Sequence, residues 1–250
     1  MKFDLVIPLY NPSDNWEQKL LIKFERIVNT YFQGDKTAIN LILVNDGSPK
    51  NFTENHVQYL ERNIPHLVVV SYQQNQGKGY ALRQGVQKAV TDFCIYSDYD
   101  FPFGLDVVNT IYQQLQSGAD IVTGRRISGN YFKSLPFKRQ IISRGLVAFN
   151  KFILRLPVYD TQAGIKGFNK YGMATFLETN INRFLFDMEF ILISSRIHGM
   201  VIKEVDVSIT QETVLSDFGF NVLKQEMSNL MKILLRKRNG NRSKEDIIQH

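Results

Sequence analysis

Two hydrophobic patterns alternate along the first half of the chain. Leu5-Val6-Ile7-Pro8-Leu9, Ile39-Asn40-Leu41-Ile42-Leu43-Val44, Leu67-Val68-Val69-Val70, Phe93-Cys94-Ile95-Tyr96 and Asp120-Ile121-Val122-Thr123 are short, largely apolar runs rich in β-branched residues. Runs of this kind suit strands buried on both faces of a parallel sheet. Between them, apolar positions recur at helical spacing over residues 14–33, 51–63, 79–90 and 104–118, and the first stretch opens with Asp14 and Glu17 in the spacing of a capping box. Repeated β-α-β units predict an α/β fold whose mostly parallel, doubly wound sheet is flanked by helices.

Ligands on such a sheet bind beyond the carboxyl ends of the strands. The residues there are polar: Pro8-Leu9-Tyr10-Asn11 after the first run, Asn45-Asp46-Gly47-Ser48 after the second, and Ser97-Asp98-Tyr99-Asp100 after the fourth. The third run leads to Asn75-Gln76-Gly77-Lys78-Gly79-Tyr80-Ala81, a glycine-flanked lysine entering a helix. Asp98 and Asp100 are hard oxygen donors suited to Mg2+ or Mn2+, ions that share a substrate's phosphate oxygens, so the implied ligand is a diphosphate. The same pair could instead cap a turn. Asp46 reads either as a turn residue of the Asp-Gly type or as an acceptor for a base or ribose, and Lys78 either as a solvated helix-start lysine or as a phosphate-holding cation. Neither a P-loop pattern nor a Gly-x-Gly-x-x-Gly after the first strand is present, and the histidines at 56, 66, 198 and 250 show no metal spacing.

Composition adds a location for charge. In 250 residues with 44% hydrophobic and 22% charged positions, the formal net charge is +6. Residues 121–159 hold eight Lys or Arg (Arg125, Arg126, Lys133, Lys138, Arg139, Arg144, Lys151, Arg155) and no Asp or Glu, which leaves −2 for the rest. Local basicity points to a local anionic partner. Within residues 130–158 the basic residues interleave with aromatic and aliphatic ones, the amphipathic basic pattern of an anionic membrane surface. Leu223, Met227, Leu230, Met231 and Leu234 fall on one helical face ahead of Arg236-Lys237-Arg238, a pattern for core packing, a homo-oligomer seam or a second membrane contact. No run is long and apolar enough to span a bilayer, and the start at Met1 reads straight into a strand. With a single cysteine, Cys94, in an apolar run, the expectation is a cytoplasmic protein, peripheral at the cytoplasmic face of the membrane.

Two later segments complete the candidate chemistry. Asp160-Thr161-Gln162-Ala163-Gly164-Ile165-Lys166-Gly167-Phe168 is polar and glycine-rich, and Arg183-Phe184-Leu185-Phe186-Asp187-Met188-Glu189-Phe190 sets two acids among large apolar residues. Such acids are costly to bury without partners, so at least one is expected to face a pocket.

In order and content, Val6-Ile7-Pro8-Leu9-Tyr10-Asn11, Val44-Asn45-Asp46-Gly47-Ser48, Asn75 through Ala81 and Asp98-Tyr99-Asp100 resemble the inverting family 2 glycosyltransferases of GT-A fold. Gly124-Arg125-Arg126 and the two later segments are similar to the dolichyl-phosphate mannose synthase and polyprenyl-phosphate glycosyltransferase branch. The resemblance spans roughly residues 3–210. It implies metal-dependent, inverting transfer of a sugar from a GDP- or UDP-sugar to a lipid phosphate. Pro8, Tyr10, Asn11 and Asp46 would hold the nucleoside, with Gly77 and Lys78 assisting, and Asp98 and Asp100 would bind the metal. Arg125, Arg126 and Lys166 would meet the acceptor phosphate, Gln162 would orient hydroxyls, and Asp160 would stand near the metal or sugar. For a hydroxyl acceptor, Asp160 and Asp187 are the candidate bases. Where the branch often has a Gln metal partner, this chain has Pro102. The implied organisation is a GT-A domain over 1–215, with a nucleotide-sugar half to residue 125 and an acceptor half over 126–215, followed by an amphipathic helix and basic tail over 216–250. The alternatives are a same-fold transferase acting on sugar hydroxyls and a nucleotidyltransferase or nucleotide-sugar-binding protein. The latter class usually needs a glycine-rich basic loop directly after the first strand, where this chain has Pro8-Leu9-Tyr10-Asn11-Pro12, with no glycine and no cation. A nucleic-acid partner is not expected, since basicity alone is generic.

Overall fold

A computed structural model describes residues 1–126, 144–158, 160–209, 228–231, 233–234 and 242–247. The apolar runs become β1 (Phe3–Leu9), β2 (Ile39–Asp46), β3 (Leu67–Tyr72), β4 (Phe93–Tyr96) and β5 (Ile121–Arg126), with α1 (Trp16–Tyr31), α2 (Glu54–Glu61), α3 (Lys78–Val86) and α4 (Asp106–Gln116) between them. After β5 come β6 (Lys166–Asn169), α5 (Lys170–Leu177), α6 (Phe186–Ser194), β7 (Ile197–His198), β8 (Ile202–Val207) and β9 (Arg242–Ser243).

Seven strands form one sheet in the order β3-β2-β1-β4-β6-β5-β8. All run parallel except β6, which is antiparallel to both β4 and β5. The two halves expected to meet at residue 125 therefore share a single sheet. Strand alternation explains its double burial: Phe3, Leu5, Ile7 and Leu9 of β1 pack with α1 and α4, whereas Val6 packs on the opposite side with α3, α5 and α6.

The structure departs from the sequence pattern in three places. The run in β3 is only half-buried, because β3 closes the sheet edge and each face is only partly covered, Leu67 and Val69 on one side and Val68 and Val70 on the other. The N-terminus of α1 is not capped by Asp14 and Glu17: Asn15 takes the cap position in a left-handed conformation without a side-chain bond, and Glu17 is buried. The glycine-rich segment ends as strand β6, whose four residues were too few and too polar to announce themselves.

Among the described residues no helix is long and apolar enough to cross a membrane. Much of the basic amphipathic segment, with Lys133, Lys138 and Arg139, lies outside the described residues, as do Leu223, Met227 and the Arg236-Lys237-Arg238 run. The C-terminal apolar face is split: Leu230 packs on the α6 side of the sheet, while Met231 and Leu234 are exposed; Ile233, outside that face, is buried. Residues 144–148 are helical and continue into a π-helical turn, Phe149–Leu154, where Phe152 and Ile153 are 67% and 61% exposed. Cys94 is buried, as expected.

Candidate active site

The carboxyl ends of β1, β2 and β4 bring the expected clusters to one edge. At the end of β1, Tyr10 and Asn11 are exposed and Pro8 is half-buried, with the Asn11 N–H donated to Ser48 Oγ at 2.9 Å. Asp46, last in β2, is buried and its carboxylate is already engaged. Oδ1 accepts from Gln76 N–H at 2.7 Å, and Oδ2 accepts from Gly77 N–H at 3.0 Å and Asn75 Nδ2 at 2.8 Å. Asp46 thus holds the loop that delivers Lys78, and in this geometry its oxygens are turned toward that loop.

Gly77 is required by geometry on two counts: its φ is +102°, and a Cβ there would stand 2.5 Å from the Asn182 carbonyl oxygen. That carbonyl also accepts from Gly79 N–H at 2.8 Å, so the loop is clamped between Asp46 and residues 181–182. Arg83, buried on α3, secures the clamp by donating to Thr179 Oγ1, the Ile181 carbonyl and the Asn182 side chain.

Beyond β4, Asp98, Tyr99 and Asp100 lie in a turn closed by Phe101 N–H on the Asp98 carbonyl at 3.0 Å. Phe101 adopts a left-handed conformation (φ 47°) with its ring in the core, an uncommon state for a bulky residue that pins the turn from below. Lys78 Nζ meets Asp98 Oδ1 at 2.5 Å. Burial alone would lower the Lys78 ammonium, but Asp98, Asp187 and Asp100 together hold it above its ordinary value, so it stays charged. Burial, and then repulsion from Asp98, raise the Asp100 carboxyl.

Two carboxylates on one turn, one of them with its charge disfavoured by burial and by its neighbour, fit a divalent cation. Among the described residues no group of three His, Cys, Asp or Glu side chains could complete a shell, and Pro102 is buried without a donor. The remaining positions would fall to water and substrate oxygens.

The residues expected on the acceptor side are tied together by charge. Asp160 is held by Arg126, whose Nε and Nη2 donate at 2.8 and 2.6 Å and whose N–H adds 2.9 Å. Burial would raise the Asp160 carboxyl, but Arg126 outweighs it and keeps it below the usual carboxylate range. Arg125 points to the exposed edge, paired with Asp206 at 2.6 Å. Gln162 is half-buried, with its N–H on Asp160 Oδ1 at 3.3 Å and its Nε2 on Thr161 Oγ1 at 3.3 Å.

Lys166, expected to reach an acceptor phosphate, is instead fully buried. Its Nζ is 2.8 Å from Asp187 Oδ1 and donates to the carbonyls of Thr161 and Ala163. Asp187 also accepts from the Tyr96 hydroxyl. Burial pushes the Lys166 ammonium down and the Asp187 carboxyl up, each opposed by its partner. Glu189 is internal as well, accepting from Asn180 and Ile181 N–H at 2.8 Å each.

Tyr96, Asn75, Arg83 and Thr161 were not anticipated as site residues. Only Tyr96 left a signal, a phenol at the end of an otherwise apolar strand. The glycine-rich loop approaches the carboxylate turn at Gly164, where a Cβ would lie 2.6 Å from Asp98 Oδ2.

A sequence model described as Glycosyl transferase family 2 matches residues 4–177. Among curated relatives, a dolichol-phosphate mannosyltransferase from Pyrococcus furiosus is 28% identical over 169 residues, covering 67% of this chain and 45% of the relative. A prophage bactoprenol glucosyl transferase homolog from Escherichia coli is 30% identical over 126 residues, covering 50% of this chain and 39% of the relative. The matched stretch therefore spans less than half of either relative. Among solved structures, glucosyl-3-phosphoglycerate synthase from Mycobacterium tuberculosis, in complex with Mn2+, UDP and phosphoglyceric acid, superposes with a TM-score of 0.64 at 16% identity. The superposition covers 95% of this chain and 78% of that one. The fold likeness agrees with the GT-A arrangement expected from the motifs.

Proposed function

The chain belongs to glycosyl transferase family 2, and from that premise we propose that it transfers a sugar, with inversion, from a GDP- or UDP-sugar to a polyprenyl phosphate at a membrane surface. The donor would lie across the carboxyl ends of β1, β2 and β4. Tyr10 and Asn11 flank the nucleoside there, and Lys78 reaches the diphosphate. Asp98 and Asp100 would hold a Mg2+ or Mn2+ ion, which supplies Lewis-acid neutralisation of the leaving diphosphate.

One observation favours a phosphate acceptor: neither carboxylate that a sugar hydroxyl would call on as a base is open. Asp160 is locked by Arg126 with its proton affinity lowered, and Asp187 is buried against Lys166 and Tyr96. A hydroxyl needs such a base, whereas a lipid monophosphate arrives anionic and needs cations. Arg126 and Arg125, at the end of β5, would supply them, each sharing its guanidinium with the carboxylate it already pairs, Asp160 or Asp206. Chemically alike acceptors in the named relatives, dolichol phosphate and bactoprenol, support the same class.

Exposed Phe152, Ile153, Lys151 and Arg155 on the π-helical turn support peripheral contact with an anionic bilayer at the cytoplasmic face. The exposed Met231 and Leu234 leave the C-terminal helix a face for a second copy or a membrane protein. Incubating the purified protein with radiolabelled nucleotide sugars and either polyprenyl phosphate or oligosaccharide tests the reading. Label is expected in the lipid, dependent on Mg2+ or Mn2+, and exclusive transfer to oligosaccharide would reject it.

A further inference from the structure

Lys166 is the only fully buried lysine among the described residues, and its three ammonium protons match three acceptors. These are Thr161 O at 3.0 Å, Ala163 O at 2.9 Å and Asp187 Oδ1 at 2.8 Å. No proton is left for a phosphate, and no surface of the side chain reaches one. We infer that Lys166 is a positioning residue: by gathering two carbonyls of the 160–165 loop around one buried ammonium, it sets the distance between the acceptor side of the site and the Asp98 turn. This rests on the transfer reading above for what is positioned, but not for how.

Two links make that distance specific. Tyr96 pairs with Lys166 across β4 and β6, its ring centroid 5.7 Å from Nζ and its hydroxyl on Asp187. Asp98 follows two residues later on the chain leaving β4. The loop is thus fastened to the strand that delivers the metal-type carboxylate. At its far side, Gly164 presses against Asp98 so closely that a Cβ would come 2.6 Å from Oδ2 and 3.3 Å from Lys78 Nζ. Its near end is fixed separately, by Arg126 on Asp160 and by Asn150 Nδ2 on Thr161 Oγ1 at 3.2 Å. With both ends held, releasing the middle leaves the loop attached but loose.

The test uses the paired variant Lys166→Met with Asp187→Asn, which removes both buried charges together and keeps an acceptor for Tyr96. Hydrogen–deuterium exchange should quicken over residues 160–165 while β1, β2 and β4 remain protected. Transfer to polyprenyl phosphate should fall by on the order of 10²-fold in kcat, with acceptor KM and nucleoside-diphosphate affinity within about threefold of wild type on the same basis. A raised acceptor KM with kcat preserved would place Lys166 on the phosphate and overturn the inference, as would unchanged exchange across the loop. A measurement on the wild type needs no variant to fold. In 15N-lysine spectra the Lys166 ammonium should remain shielded from solvent exchange and unshifted when polyprenyl phosphate is added, and a shift would count against the inference. Should the wild type transfer sugar to no polyprenyl phosphate, the functional reading fails, while loop exchange still decides the role of Lys166.

Discussion

The donor edge and the acceptor side hold their loops by different means. At the donor edge Asp46 gathers neutral N–H donors from residues 75–77, and glycines let the chain pass close to residues 181–182. On the acceptor side Asp160 and Asp187 face Arg126 and Lys166 inside the protein. Neutral donors yield to substitution in increments. A buried ion pair yields all at once, because removing one member strands the other's charge without water or partner.

The largest effect should come from breaking one member of the buried pair. Lys166→Met alone should cost about 3 to 5 kcal/mol in urea unfolding, and the paired Lys166→Met, Asp187→Asn variant should recover much of that loss. Equal stability of the single and paired variants would remove the ionic half of the comparison. Next comes Asp100→Ala at the donor edge, expected to leave stability within about 1 kcal/mol while cutting Mg2+- or Mn2+-supported turnover by about 10² to 10³-fold. Near-normal activity would reject the metal assignment.

Asp46→Ala leaves the Gln76 and Gly77 N–H groups unpaired, while Asn75 Nδ2 keeps the residue 46 carbonyl, and should cost about 2 kcal/mol, with weaker donor binding as Lys78 loses its support. A change of base preference at unchanged stability would instead put Asp46 on the nucleobase.

The pH dependence sharpens the acceptor side. Because Arg126 holds the folded Asp160 carboxyl below its unfolded value near ~3.9, its contribution is complete above that pH and disappears as pH falls through the lowered value. Urea midpoints of wild type and Asp160→Asn should therefore converge as the solution is taken from pH 6 toward pH 2, and parallel curves would exclude the coupling. Smallest of all is the surface control: Lys36 and Glu25, 2.6 Å apart but each more than a third exposed, should show that Lys36→Ala costs less than about 1 kcal/mol by thermal melting.

Residues 3–126 could be read as strands and helices because strand and helix periods are local properties, repeated within five to fifteen or so residues. The clusters after β1, β2 and β4 followed from the same alternation, since a doubly wound sheet sends those ends to one edge. By itself the sequence thus determined the α/β architecture and the gathering of the polar clusters at one edge, with carboxylates there that could hold a cation. It could not show which way each polar head turns. Arg126 meets Asp160 across 34 positions and Tyr96 meets Asp187 across 91, separations with no period to reveal them. Asp46 reads from sequence either as a turn residue or as an acceptor for a base, and only the fold turns its oxygens toward the 75–77 loop. Lys166, in a polar, glycine-rich stretch, was expected to meet an acceptor phosphate, but antiparallel β6 carries it between β4 and β5, where burial leaves an ammonium stable only if the protein itself accepts its hydrogen bonds. Those decisions belong to tertiary structure, because desolvation and pairing depend on what the fold brings within 3 Å rather than on what lies next along the chain.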